Sequence, residues 1–134
     1  MRYLLDTNIV SHLVRKEAVI FQRLERVIAE GICISVVTEA EILAGLAKKP
    51  KATRLATTMH SFLAHTDILV WDSQVAKSYA DLQLYFIEYG RALSTMDALI
   101  TAHAHAVGAT LVTADKAFLQ LNDFVPVEDW TIPL

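Results

Sequence analysis

A chain of 134 residues suffices for one domain, burying roughly two thirds of the surface its unfolded form exposes. Apolar residues make up 54% and charged residues 20%, with four Gly and three Pro, a folded globular composition rather than a disordered or fibrous one. The net charge of −3 argues against holding nucleic acid by bulk electrostatics, so such a substrate would need local positive patches or bound cations. No run reaches the ~20 uncharged apolar residues of a membrane span. Asp6 interrupts the only apolar run at the start, so no secretory signal is expected either. Cys33, the single cysteine, lies inside ICISVV and reads as a buried strand residue. Nothing suggests an oxidising compartment, and a cytoplasmic protein is expected.

In chain order, Tyr3-Leu4-Leu5 reads as a short buried strand that stops at Asp6-Thr7-Asn8. A short helix over Ile9 to Val14 follows at once. Residues 17 to 30 predict a second helix with Ile20, Phe21, Leu24, Val27 and Ile28 on one face, ended by Gly31. Ile32 to Val37 is β-branched and continuous, the pattern of a strand buried on both faces. Thr38-Glu39-Ala40-Glu41 opens a helix to about Ala47, and the basic stretch Lys48-Lys49-Pro50-Lys51 connects it onward. Thr53 to His65 is helical, with Leu55, Met59, Phe62 and Leu63 inward. Ile68-Leu69-Val70 predicts a third strand, and Asp72-Ser73 caps a helix from about Gln74 to Tyr89 that Gly90 stops. Ser94 to Val107 is a further helix ended by Gly108, and Thr110-Leu111-Val112 a fourth strand. A short helix over Lys116 to Leu121 precedes a fifth strand over Phe124 to Val127, placed at the edge by Pro126. Alternation of this kind predicts an α/β fold, a parallel sheet with right-handed crossovers and helices on both faces.

Four acids stand apart by position. Asp6 and Asp115 each follow a buried strand, in YLLD and TLVTAD. Glu41 and Asp97 fall in the first turns of helices that start at the carboxyl edge of the sheet, where ligands collect in open α/β folds. Topology thus places all four on one side of the sheet, while their meeting depends on strand order. A capping reading competes: Thr38-x-x-Glu41 and Ser94-x-x-Asp97 approximate capping boxes, and Asp115 fits a plain N-cap. Crowded carboxylates without a counter-charge would raise one another's pKa. A hard divalent cation, Mg2+ or Mn2+, removes that conflict, whereas zinc lacks a Cys or His pair nearby. Such an ion lowers the pKa of a bound water and steadies charge on a phosphoryl oxygen, as phosphodiester hydrolysis requires.

Together, LLDTN, ISVVTEAEILAGLAKK, WDSQVAKSYADL, STMDALITAHAHAVGATLVTAD and the terminal VEDW resemble the motifs of PIN-domain ribonucleases, closest to the VapC-type toxins of bacterial toxin–antitoxin pairs. The resemblance covers nearly the whole chain as one PIN domain. It implies a five-stranded parallel sheet in the order 3-2-1-4-5, with Asp6 beside Asp115. It also implies that Asp6, Glu41, Asp97 and Asp115 form the acidic Mg2+ site. Within it, the division expected is Asp6 and Asp115 binding the metal directly, Asp97 directly or through water, and Glu41 positioning or deprotonating water. Thr7, Asn8 and Thr113 fall where the family has polar residues that orient those acids, although turn and cap roles also explain them. Gly90-Arg91-Ala92 lacks the proline that relatives often carry after Gly-Arg, so substrate preference does not carry over.

Arg91, Lys48 and Lys49, with Lys51 and Arg54, are candidates for RNA phosphate contact, against a plain solvated-loop reading. At about 100° per residue His103 points away from Asp97, and His105 lies nearer its face but two turns on, so both read as core or surface residues. The expected nucleophile is therefore metal-bound water. Surplus apolar stripes over residues 53–65 and 74–89 leave room for a homodimer interface and a groove for an antitoxin protein. The function expected is an endoribonuclease acting as a toxin. Its rivals are a catalytically silent module that holds RNA or a partner, and an Asp6-nucleophile phosphotransferase, disfavoured because Asn8 leaves that loop without a second acid.

Overall fold

A computed structural model describes residues 2–132. Its strands are β1 (Tyr3–Leu5), β2 (Ile32–Ser35), β3 (Asp67–Leu69), β4 (Thr110–Val112) and β5 (Val127–Glu128). All neighbours pair in parallel in the order β3-β2-β1-β4-β5, as the resemblance implied. The helices are α1 (Thr7–Val14), α2 (Ala18–Val27), α3 (Val36–Ala47), α4 (Thr53–Ala64), α5 (Ser73–Tyr89) and α6 (Thr95–Val107). Short 3-10 turns occupy Ile28–Glu30 and Lys116–Leu121.

Because strand side chains alternate between faces, β1 is shared by two cores. Leu4, with Leu111 of β4, packs against Val75, Leu82 and Phe86 of α5 and Ile100 of α6. Tyr3 and Leu5, with Val112, pack on the other face against Ile9 and Leu13 of α1, Ile20 of α2, Ile42 of α3 and Met59 of α4. Trp130, 1% exposed, seals the second core with its ring centroid 5.7 Å from that of Tyr3. Its indole N–H donates to Glu128 Oε1 at 3.0 Å, which satisfies the buried polar atom. Cys33 is buried in β2, and burial pushes its thiol up to about 11, so it is an inert core residue as expected.

Several boundaries differ from the sequence pattern, each for a local reason. The second strand ends at Ser35, not Val37, because the Ser35 hydroxyl accepts the Val37 amide at 3.0 Å and starts α3 there. Thr38 is therefore a buried residue inside α3, not its cap, and Glu41 lies in the second turn, beyond the reach of a capping role. The third strand is Asp67–Leu69, and Val70 is exposed. The fifth strand is Val127–Glu128; Pro126 precedes it, and its carbonyl still accepts from Leu111 N at 2.8 Å. Ile28 is 60% exposed, since the chain tightens into a 3-10 turn there, and Leu55 lies at the outer edge of α4. Gly90 and Gly108 stop α5 and α6 in the left-handed conformation that favours glycine.

Gly45 is a different case. It lies inside α3, and a Cβ built on it would meet nothing within 4 Å. A helix-interior glycine with open space around it costs stability without a steric reason. Gly45→Ala is expected to raise stability by about 0.5–1 kcal/mol, read as a higher urea midpoint at unchanged slope.

Candidate active site

The site starts at the carboxyl end of β1. Asp6 N donates to Val112 O at 3.0 Å, which extends the β1–β4 ladder by one residue and sets Asp6 beside Thr113. The Asp6 side chain is 3% exposed. Its Oδ1 accepts from Ile9 N at 2.9 Å, capping α1, and its Oδ2 accepts from the Thr113 hydroxyl at 2.5 Å. Both contacts favour the carboxylate, yet burial outweighs them. The charges of Asp97 and Asp115 add to burial, and the Asp6 pKa rises from 3.8 to about 6. Three of the expected acids therefore share one electrostatic neighbourhood.

Asp115 follows β4 by three residues. Its amide donates to Thr113 Oγ1 at 3.0 Å, so one hydroxyl links both acids. Its Oδ1 accepts from Ala117 N at 2.9 Å, so the N-cap reading of Asp115 holds as well. Asp97 is half-buried in the first turn of α6, where its amide donates to the Ser94 hydroxyl at 3.3 Å. α6 leads into β4 at the lower edge of the sheet, so it begins at the upper edge, above Asp6.

Glu41 lies to one side of this group. Thr7, the residue after Asp6, donates its hydroxyl to Glu41 Oε1 at 2.5 Å, and the buried Thr38 hydroxyl lies 3.5 Å from that of Thr7. The fourth acid thus reaches Asp6 through its neighbour. Among the described residues, no three Asp, Glu, His or Cys side chains close on one point tightly enough to grip an ion directly. The donor set still fits a hard cation. It is all oxygen, the carboxylate at its centre is held above its ordinary pKa by burial, with the charges of Asp97 and Asp115 adding to it, and Mg2+ commonly keeps several waters while touching one or two carboxylates.

The other candidates divide. Asn8 is exposed in the first turn of α1. Lys48 is exposed at the C-terminal end of α3, whereas Lys49 lines a cavity of about 240 Å³ shared with Thr7 and Glu41. Arg91 is not a free loop arginine: it is half-buried and donates to Gln120 Oε1 at 2.9 Å, tying the loop before Asp97 to the turn after Asp115. His103 is fully buried, with Nδ1 2.8 Å from Ser35 Oγ, and burial lowers its pKa. His105 stacks on Phe124 and bonds Ser78, a packing role. Sequence reasoning missed the Ser35–His103 pair, whose only sequence signal is the polar interruption of the apolar run ICISVV.

Comparison with known proteins agrees with this geometry. The family model "PIN domain" matches residues 3–123. The chain is 29% identical over 133 residues to the ribonuclease VapC2 of Rickettsia felis, covering 97% of this chain and 98% of that one. It is 30% identical to the plasmid stability protein StbB of Pseudomonas syringae pv. tomato, over 95% of this chain and 97% of that one. The crystal structure of VapBC2 from Rickettsia felis bound to a DNA fragment from their promoter superposes with a TM-score of 0.88 at 26% identity, over 97% of this chain and 99% of that chain. Strand order, the acid-bearing edge and likeness over the full length converge: the chain belongs to the PIN-domain family, among its VapC-type members.

Proposed function

We propose that this chain is a divalent-metal-dependent endoribonuclease that hydrolyses RNA phosphodiester bonds and acts as the toxin of a two-protein pair. The observation that carries the reading is the buried Asp6, raised to about 6 by burial and by the charges of Asp97 and Asp115 at the carboxyl edge of β1. Relatives named ribonuclease VapC, and the VapBC complex of like fold, support it.

In this reading Asp6, Asp97 and Asp115 would hold the ion, directly or through water. Mg2+ or Mn2+ bound there would supply an acidified water and a counter-charge for the phosphoryl oxygen. Thr113 fixes the Asp6 carboxylate and the Asp115 backbone together. Glu41, whose Oε1 accepts from Thr7, would orient the attacking water and take its proton. Lys48 and Lys49, both exposed, and Arg91, half-buried and bonded to Gln120, are secondary candidates for meeting the RNA backbone.

A protein partner fits the apolar cavity of about 350 Å³ between α1, α2 and α4, lined by Leu13, Phe21, Leu24 and Phe62. Its occupant in this reading is an apolar segment of a cognate antitoxin. Leu84 and Ile87, 64% and 80% exposed on α5, suit a second copy of the chain. No helix among the described residues is long and apolar enough to cross a membrane, and a cytoplasmic setting belongs to the same reading. A catalytically silent binding module is the rival, favoured by the looseness of the acid group.

Asp97→Asn and Glu41→Gln separate the two. Neither side chain caps a helix, so each variant should melt within about 0.5 kcal/mol of wild type. Each should cut an unstructured RNA at least about a hundredfold more slowly in Mn2+. Unchanged cleavage in both, or no metal-stimulated cleavage by wild type, removes the nuclease reading.

A second expectation concerns pH. The folded metal-free protein holds the Asp6 proton more tightly than the unfolded chain does, because the pKa is raised from 3.8 to about 6. The associated stability is full below the lower value and is lost as the pH rises through the higher one. A cation competes for the ionised form only. Mn2+ should therefore raise the melting temperature above pH 6 and lose that effect below it, and Asp6→Asn should abolish the dependence.

A further inference from the structure

Gly45 has no steric reason to be glycine, yet it borders the cavity of about 240 Å³ that begins at Glu41. Ile42 and Met59, both buried, and Leu46 and Leu55 supply the apolar part of its lining. Thr7, which follows Asp6 in the chain, with Ser11, Glu41 and the exposed Lys49, supplies the polar part of the lining. Leu55 is shared with a second, wider depression of about 490 Å³ lined by Lys51, Thr53 and Arg54. The volume falls below the ~300–1,000 Å³ of drug-sized sites and matches one flat heterocycle better than a larger ligand.

We propose that this cavity takes one unstacked nucleobase of the RNA, from the nucleotide beside the bond that is cut, and that Gly45 is free of a side chain to admit it. The inference rests on the ribonuclease reading and extends it to substrate selection. Charge decides which part of the strand goes in. The mostly apolar lining and the Glu41 carboxylate disfavour a phosphate inside, while Lys51 and Arg54 of the neighbouring depression, with Lys49, attract the backbone. Single-stranded RNA is read by splaying bases into apolar slots while cations track the backbone. Because a helical side chain leans toward the preceding turn, any group added at position 45 would project toward Glu41 and Ile42 and shorten the slot.

The test pairs protein and RNA changes. Wild type, Gly45→Ala and Gly45→Leu are assayed in Mn2+ on a short single-stranded RNA with one mapped cut, and on copies abasic at each flanking position. In wild type, one abasic position should lower kcat/KM about tenfold. Gly45→Leu should lower kcat/KM on the intact RNA by a similar factor and on that abasic RNA less than about twofold, because the lost contact is the same one. Equal losses on both RNAs would mean that the new side chain disturbs Glu41 instead, and the slot would be discarded. No loss on either discards it too, as does weakened capture of the cognate antitoxin with RNA cleavage unchanged, which assigns the cavity to a protein segment. If wild type binds the RNAs without cutting them, the ribonuclease reading fails, and the same comparison read as Kd by fluorescence anisotropy still decides the slot.

Discussion

A negative charge placed where water cannot reach it is the constraint around which this molecule is arranged. Asp6 cannot leave the carboxyl edge of β1, because its amide is the last rung of the β1–β4 ladder. Its carboxyl accepts two hydrogen bonds that favour ionisation, yet its pKa still rises, because burial and the two neighbouring acids oppose that form more strongly. Those hydrogen bonds alone do not offset its burial, and in the proposed function a divalent cation would supply the missing opposite charge. The same edge supplies Thr113, Asp115 and the start of α6, so parallel topology and site chemistry have one origin.

The two acids that lie outside the strand ends depend on how their helices are fixed. α3 carries Glu41 and α6 carries Asp97, and the two are joined beneath the site by His103 and Ser35 at 2.8 Å. Ser35 is also the cap of α3, so its single oxygen starts one acid-bearing helix and binds the other. The imidazole is shielded enough that its neutral form is favoured, which suits a fixed hydrogen bond inside a core. The tether is positional: it touches neither Asp97 nor Glu41 but limits how far their helices can slide apart.

Much of this was legible from residues alone, and the gaps have physical causes. β1 and β4 matched their predicted ends because polar residues terminate both apolar runs abruptly. β2 was read two residues too long, since Val36 and Val37 have strand propensity and only the Ser35 cap overrides it. That error moved Glu41 into a first turn and made a capping box of Thr38. Strand order could not be read from hydrophobic pattern and entered through the resemblance to PIN domains. Asp6, Asp97 and Asp115 were expected together and share one neighbourhood, whereas Glu41 stands one hydrogen bond away. The reason is a hydroxyl, Thr7, whose side-chain direction no periodicity encodes.

Asp6 and Asp115 each cap a helical segment through Oδ1, whereas the side chains of Asp97 and Glu41 cap nothing. A lineage that abandoned cleavage and kept the protein as a mere binder would still be under pressure to retain the first pair for folding. It would be free to drift at the second. In surveys of related chains, an intact Asp6 and Asp115 therefore say little about whether a copy is alive as an enzyme. Under the proposed function, erosion at the positions of Glu41 and Asp97 would be the informative sign of a decayed one.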